Sequence, residues 1–418
     1  MRLFTPKVPG RGGRTPGGGA AGVLLLTVGA SVTAIVAVQW VATRTGSAWV
    51  PGGDLAVYRA AAGAVLDGGS PYEVSLDGYG FAYPPFAALV LTPLAHVGPA
   101  VGYWAWTALS ALAVPAVVWL VVDQVAPHRH GSGLLAAGTA VVLPLSPVAG
   151  TLLLGNVNLL LLALVLVDLL RPHRCRGVLI GIAAGIKLTP LVVVAYLLLT
   201  GRTRAGVTAL LTFLGTVGAG LLLLPGASLT FWGGAGLDGS RTRPAGEEAF
   251  GASLRGAVLN LLPESAHPVW LPLSALVGAA GLAVAVWASR RHEEVTGLLV
   301  CAVTGLLVSP VTWYTHWVWC VPLLALLVAR RPRGGGRLTV GGLWLVFALP
   351  LPWWVVHVLG LVPLTERAWV RPVELLYTLL GAALLVGTAA RLRRIDPART
   401  DPPAARSRPV PAHVAGRR

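Results

Sequence analysis

Charge is what this 418-residue chain has least of. Only 11% of its residues are Asp, Glu, Lys or Arg, where a soluble domain carries about a quarter. So little charge cannot coat a soluble globule of this size, and a soluble enzyme is excluded. Acids are the scarcer sign, 16 against 32 basic residues, for a formal net charge of +16. Lysine is nearly missing; Lys7 and Lys187 are the only two. Three cysteines, Cys175, Cys301 and Cys320, fit neither a metal-ligand spacing nor a disulfide framework. All three are expected to be packing residues. Also missing are an Asp-x-Asp motif, a Walker loop and a dinucleotide fingerprint following a strand. A nucleotide-sugar donor or an ATPase therefore has no visible site.

Apolar sequence fills the space that charge leaves. Hydrophobic residues make up 55% of the chain and the mean hydropathy is +0.73. Apolar runs lie near 20–42, 101–123, 133–148, 154–170, 177–186, 189–200, 205–225, 271–289, 295–311, 317–329, 339–357 and 373–390. Several approach the roughly 20 residues that span a bilayer. The expectation is an all-α polytopic membrane protein with about 12 transmembrane helices, some in short broken hairpins. Residues 1–19 read as a disordered basic tail, 20–390 as the membrane domain and 391–418 as a second disordered basic tail. The first run is too long for a signal-peptide core and is expected to stay as an uncleaved span.

The basic residues orient these runs, because cytoplasmic loops collect Arg and Lys. With both termini cytoplasmic and the runs alternating, one side holds both tails and five clusters. These are Arg129, Arg171/Arg174/Arg176, Arg202/Arg204, Arg290/Arg291 and Arg330/Arg331/Arg333/Arg337. The positive balance thus records topology in a cell membrane, and a nucleic-acid partner is not implied. Two long loops, 43–100 and 226–270, fall outside. The apolar piece Pro84 to Ala95 is placed within the first of them as an interfacial or re-entrant helix.

Two run pairs are short. At 1.5 Å per residue, 177–186 and 189–200 reach roughly half the hydrocarbon thickness. Their apex, Gly185 to Pro190, then lies within membrane depth and carries Lys187. A second hairpin, 133–148 with 154–170, has its apex at Pro147 to Asn158. Non-helical backbone and charge are tolerated there only beside protein or a water-filled cavity, so a cavity open to the outside is expected.

Chemistry-bearing residues gather on that outer face. Asp54 opens the first outer loop; a carboxylate at a membrane-edge cavity can serve as a general base if its pKa is lifted, and the plainer alternative is a helix N-cap. Lys187 needs an anionic partner at its depth, either a lipid phosphate or an acid such as Glu247. His316 lies among Trp313, Tyr314, Trp317 and Trp319, whose faces can pack on sugar rings or form an interfacial aromatic belt. Arg255 can grip a phosphate with two hydrogen bonds or touch a lipid headgroup. Transport would need polar residues on both faces. Their confinement to one side favours chemistry on an externally presented, lipid-linked substrate.

Four stretches carry a resemblance: GGDLAVYRAAAGAVLDGGSPYE at 52–73 with FAYPPFAALVLTPLA at 81–95, GNVNLLLLALVLVDLL at 155–170, RGVLIGIAAGIKLTPLVVVAYLLLTGR at 176–202, and SPVTWYTHWVWCVPLL at 309–324. In this order they resemble glycosyltransferase family 87, the polyprenyl-phosphate-mannose-dependent mannosyltransferases of actinobacterial type. The resemblance implies a GT-C fold with an extracytoplasmic site. It also implies a polyprenyl-phosphate mannose donor and a glycolipid or glycan acceptor. Asp54 matches the family's base, Lys187 its Lys-x-x-Pro lysine and His316 the histidine that orients the donor. Tyr58, Asn156, Asn158 and Arg255 join them as expected donor contacts, with Trp313, Tyr314 and Trp317 stacking on sugar. The implied reaction is an inverting single displacement that needs no metal or other cofactor.

This chain departs from the family pattern in two places. Gly251-Ala252-Ser253 stands where relatives often have Asn-Gln-Ser, and Thr315-His316 where they often have paired histidines. Two other functions compete: a transferase of the same architecture using another lipid-linked sugar such as arabinose, and a polyprenol-lipid flippase.

Overall fold

The computed structural model describes residues 22, 29, 52–76, 78–127, 131–236, 251–262, 266–330, 335–349 and 375–394. The run 20–42 apart from residues 22 and 29, both tails beyond Arg394 and before Ala20, and residues 237–250 of the 226–270 loop with Arg241, Arg243 and Glu247 lie outside the described residues. Sixteen α-helices follow one another in the described chain. They are α1 Gly53–Leu66, α2 Pro85–Leu91, α3 Pro99–Val125, α4 Ser132–Val142, α5 Ser146–Leu154, α6 Asn158–Leu170, α7 Val178–Ile186 and α8 Leu191–Leu199. After these come α9 Thr203–Leu223, α10 Pro225–Thr230, α11 Leu254–Leu261, α12 Ala266–Arg290, α13 Glu294–Val308, α14 Cys320–Ala329, α15 Gly335–Ala348 and α16 Leu376–Arg394. A two-residue hairpin, β1 Ser75–Leu76 and β2 Tyr79–Gly80, is the only sheet among the described residues.

Membrane character is plain, though the expected count of about 12 spans is not reproduced among the described residues. Four described helices are long and apolar enough to cross: α3, α9, residues Pro268–Arg290 of α12, and α16. α4 and α5 pass only as a pair, bent by 81°. Several other apolar runs are helices of 9 to 15 residues, and the shorter ones reach well under the roughly 30 Å hydrocarbon core. They must pair end to end or stop within the bundle. Leu211 (62% exposed) and Leu222 (81%) on α9 and Leu276 (67%) on α12 point outward as lipid-facing residues do. α13 is the opposite case, buried all round from Val295 to Leu307, and forms the centre.

The two short hairpins divide into one confirmed and one corrected. α7 ends at Ile186 and α8 begins at Leu191, as the apex at Gly185 to Pro190 requires. Pro190 biases the preceding residue away from helix, and Lys187 is extended (φ −149°, ψ 132°). The other apex is not a loop from Pro147 to Asn158. A separate helix, α5, occupies Ser146–Leu154, with Pro147 in its first turn where a missing N–H costs nothing. Pro84 to Ala95 forms α2 and a 3-10 turn, Thr92–His96, too short to span. Cys301 and Cys320 pack in the core, but Cys175 is exposed, contrary to expectation, because its loop lies outside the bundle.

Small residues set the height of the α7 apex. Gly177, Gly181 and Gly185 form a stripe against α9. A Cβ on them would fall 2.2 Å from the Ala205 carbonyl oxygen, 2.5 Å from that of Ala209 and 2.3 Å from Thr216 Oγ1. Such stripes let membrane helices approach closely. α7 therefore lies along α9, with Lys187 level with its Thr216 end. At the opposite end, Arg202 donates to Glu294 Oε1 (2.6 Å), Arg330 to Glu293 Oε2 (2.8 Å) and Arg391 to Glu293 Oε1 (2.7 Å). Arg171 pairs with Asp123 at 3.1 Å. Basic loops that sequence puts on one side thus meet each other there.

Candidate active site

The site begins where α1 docks on α5. Gly52 N donates to the Leu153 carbonyl at 2.8 Å, and Tyr103 Oη reaches the same oxygen at 3.0 Å. α5 then ends on Gly155 in the left-handed region (φ 69°), a position glycine fills without strain. A Cβ there would lie 2.8 Å from Leu55 Cβ, so only glycine allows this approach. The next residue, Asn156, is thereby delivered to Asp54.

From there a hydrogen-bonded chain crosses the site. Asn156 Nδ2 donates to Asp54 Oδ2 at 2.6 Å, and Asn156 Oδ1 accepts from Asn158 N at 3.0 Å. Only this orientation of the amide satisfies both partners. Asn158, the first residue of α6, accepts from Lys187 Nζ through Oδ1 at 2.9 Å and donates through Nδ2 to the Thr315 carbonyl at 3.0 Å. One continuous path therefore runs Asp54, Asn156, Asn158, Lys187, with a branch to the segment holding His316. Among the described residues no carboxylate lies within ion-pair distance of Lys187, so its only hydrogen-bond partner there is a neutral amide.

Asp54 is half-buried. Burial raises its pKa above the ordinary carboxylate value, with the Asn156 hydrogen bond and the Lys187 charge pulling it partly back. A raised pKa strengthens a carboxylate as a proton acceptor near neutral pH.

His316 is 7% exposed. Its Nδ1 accepts from Trp313 N at 2.9 Å, which leaves the proton of the neutral ring on Nε2. With Asn158, Thr189 and Pro190 it lines the polar end of a narrow cleft. The rest of that cleft is apolar, walled by Leu161, Leu162 and Val165 of α6, Val192 and Val193 of α8, and Leu306 of α13. A polar mouth on an apolar slot suits an amphipathic ligand.

Other expected residues are placed differently. Tyr58 is 2% exposed, and its hydroxyl is 2.7 Å from that of Tyr83. It forms the wall behind Asp54. Tyr314 closes over Gly150, where a Cβ would fall 2.5 Å from its ring. Trp313 is half-buried. Trp317 is only 3% exposed, its ring 5.5 Å from Tyr377 and its Nε1 donating to the Ala252 carbonyl at 3.3 Å. Its faces are taken by the core, which does not fit the expected sugar platform. Arg255 sits in the first turn of α11 behind the N-cap Ser253. Ala252 N donates to the Thr312 carbonyl at 2.7 Å, so α11 starts beside the His316 segment. Arg255 itself is half-buried, has no ion pair among the described residues and stays outside the hydrogen-bonded path.

Sequence reasoning missed Tyr83. Its ring lies 5.3 Å from Lys187 Nζ, and it meets Tyr58 edge-on with centroids 5.2 Å apart. The available signal was the Tyr-Pro-Pro at 83–85, which fixes an aromatic at the entry of α2.

Comparison with known proteins follows the same residues. The model of glycosyltransferase family 87 matches residues 81–310. A polyprenol-phosphate-mannose-dependent alpha-(1-2)-phosphatidylinositol pentamannoside mannosyltransferase from Mycobacterium tuberculosis (strain CDC 1551 / Oshkosh) is 33% identical over 281 residues, which is 65% of this chain. The match spans 64% of that relative's length, just under two thirds. A polyprenol-phosphate-mannose-dependent alpha-(1-2)-phosphatidylinositol mannoside mannosyltransferase from Mycolicibacterium smegmatis (strain ATCC 700084 / mc(2)155) is 31% identical over 344 residues, 71% of this chain and 75% of the relative. No solved structure matches the chain.

Proposed function

The chain belongs to glycosyltransferase family 87, and we propose that it transfers mannose from polyprenyl-phosphate mannose to a glycolipid hydroxyl. The relatives' names specify phosphatidylinositol mannosides as acceptors, and a lipid of that class is the acceptor we assign here. The architecture we propose is the GT-C fold, with residues 20–390 as the catalytic membrane domain and 1–19 and 391–418 as cytoplasmic tails. The site opens to the extracytoplasmic side of the plasma membrane.

The observation that carries this reading is the path from Asp54 to Lys187. It sets a carboxylate and an ammonium in one site, separated by two asparagines. In the reaction, Asp54 takes the proton of the acceptor hydroxyl as that oxygen attacks C1 of the donor. The bond from C1 to the phosphate oxygen breaks, its electron pair leaves with the polyprenyl phosphate, and the anomeric configuration inverts. Lys187 meets the phosphate charge, which grows as the bond breaks, and so favours the transition state over the bound donor. His316 Nε2–H donates to a sugar hydroxyl or phosphate oxygen at the cleft mouth. Arg255 is a second cation for the phosphate, supplied from α11. Trp313 and Tyr314 supply the aromatic surface for the sugar. Asn156 and Asn158 act on this reading by holding the base and the cation as well as by facing the donor.

Assaying purified protein with polyprenyl-phosphate mannose and polyprenyl-phosphate arabinose, each with a phosphatidylinositol mannoside, tests the proposal. A product one hexose heavier, formed only with the mannose donor, supports it. Pentose transfer alone, or movement of lipid across vesicles with no sugar transfer, overturns it.

A further inference from the structure

Lys187 is held in an unusual way for a cation at this depth. Among the described residues its Nζ has one hydrogen-bond acceptor, Asn158 Oδ1 at 2.9 Å, and one aromatic face, that of Tyr83 at 5.3 Å. Both are neutral. A carboxylate in either place would pair with the ammonium and cancel its charge. An amide and a π face hold the same ammonium without cancelling it. Asp54 is close enough to feel the charge but makes no ion pair with it.

The Tyr83 ring is fixed on several sides. Its hydroxyl bonds to that of Tyr58 at 2.7 Å. Phe81 packs on it with centroids 5.5 Å apart. Its carbonyl accepts from Tyr72 Oη at 2.8 Å. Pro84 and Pro85 follow directly, restricting its backbone to extended conformations. A residue so constrained presents one ring face in one place.

We propose that Tyr83 is a positioning residue for the donor phosphate. Its ring carries the Lys187 ammonium, aimed and paired with no carboxylate among the described residues, until the phosphate of a polyprenyl-phosphate ligand arrives. The claim rests on the proposed function for its ligand class, and it concerns the ring and not the hydroxyl. Lys187 reaches the phosphate, and Tyr83 acts through Lys187.

The test measures binding of polyprenyl phosphate without sugar to the purified full chain, so no turnover is needed. Tyr83→Phe keeps the face and is expected to bind within about twofold of the unchanged protein. Tyr83→Leu removes the face and is expected to bind roughly tenfold more weakly, in the range of a desolvated cation–π contact. In a Lys187→Met background the same Tyr83→Leu change is expected to have no further effect, which a merely structural role would not produce. The Phe variant also controls for folding. Equal binding by Tyr83→Leu and the unchanged protein overturns the proposal, as does equal weakening by Phe and Leu or full additivity with Lys187→Met. Failure of the unchanged protein to bind polyprenyl phosphate overturns it together with the proposed function. Binding with the expected pattern but no mannosyl transfer overturns the proposed function alone.

Discussion

The two ends of this bundle treat charge in opposite ways. At one end Glu293 accepts from Arg330, Arg391 and Thr296, and Glu294 accepts from Arg202 and Tyr196. Glu293 is thus met by guanidinium groups from two helices, and Glu294 by one. At the other end Asp54 and Lys187 share a site but do not pair, and Asn156, Asn158 and Tyr83 stand between or beneath them. Paired charges spend their field on each other and hold α8, α13, α14 and α16 together. Separated charges keep theirs for something that arrives. The difference separates a structural clasp from the proposed reaction site without reference to any relative.

Breaking the separated pair is expected to have the largest effect. Asp54→Asn removes the proposed base and is expected to lower kcat by about 10² to 10⁴, the range of general-base catalysis, with donor binding retained. Donor-dependent product formation checks it. Lys187→Met comes next: it is expected to raise donor KM by roughly tenfold or more, the weight of a charge-assisted contact to phosphate, and to leave acceptor KM unchanged.

Asn156→Ala sharpens the comparison through pH. On the proposed mechanism catalysis needs Asp54 ionised, so activity is expected to fall as pH drops through its raised pKa. The Asn156 hydrogen bond opposes that rise, so its loss moves the acid limb of the kcat profile to higher pH. A limb that stays in place or moves lower contradicts the assignment.

The paired end is expected to answer in stability and not in rate. Burial would raise the Glu293 pKa, but hydrogen bonds from Arg391 and Thr296 and the charges of Arg391 and Arg330 bring it below the ordinary value. Its contribution is therefore present above the unfolded pKa and lost as pH falls through the folded one. Glu293→Gln is expected to cost about 1 kcal/mol near neutral pH, as partly exposed pairs do, with kcat unchanged. Thermal unfolding should show the two proteins converging in acid. The smallest effect is expected at Cys175. It is exposed while Cys301 and Cys320 are buried, so on the proposed topology an impermeant thiol reagent should label it only from the cytoplasmic side and leave activity untouched.

Much of this was legible in the chain. The Arg clusters foretold which loops share an end, because that rule depends on counting and not on packing. The broken apex at Lys187 was legible from run length and Pro190. Asp54, Asn156, Asn158 and Lys187 were each nameable, but their linkage was not. It depends on Gly155 turning the chain against Leu55 and on the glycine stripe of α7 setting the height of Lys187. Helix α5 was invisible because its apolar residues blend with those around it, and only the 81° bend reveals it. The burial of Trp317 and Tyr58 was not legible, because an aromatic beside a polar motif reads alike in sequence whether it faces a cleft or the core. Tyr83 was passed over because its partner, Lys187, lies over a hundred positions away.

The most direct test of the account is the stereochemistry of a single purified reaction. The full-length protein is given polyprenyl-phosphate mannose and a phosphatidylinositol mannoside, and the anomeric configuration of the new linkage is read from the product. The account predicts one mannose added with configuration opposite to that of the donor, and no product from Asp54→Asn. Retained configuration, or undiminished turnover by Asp54→Asn, would contradict it.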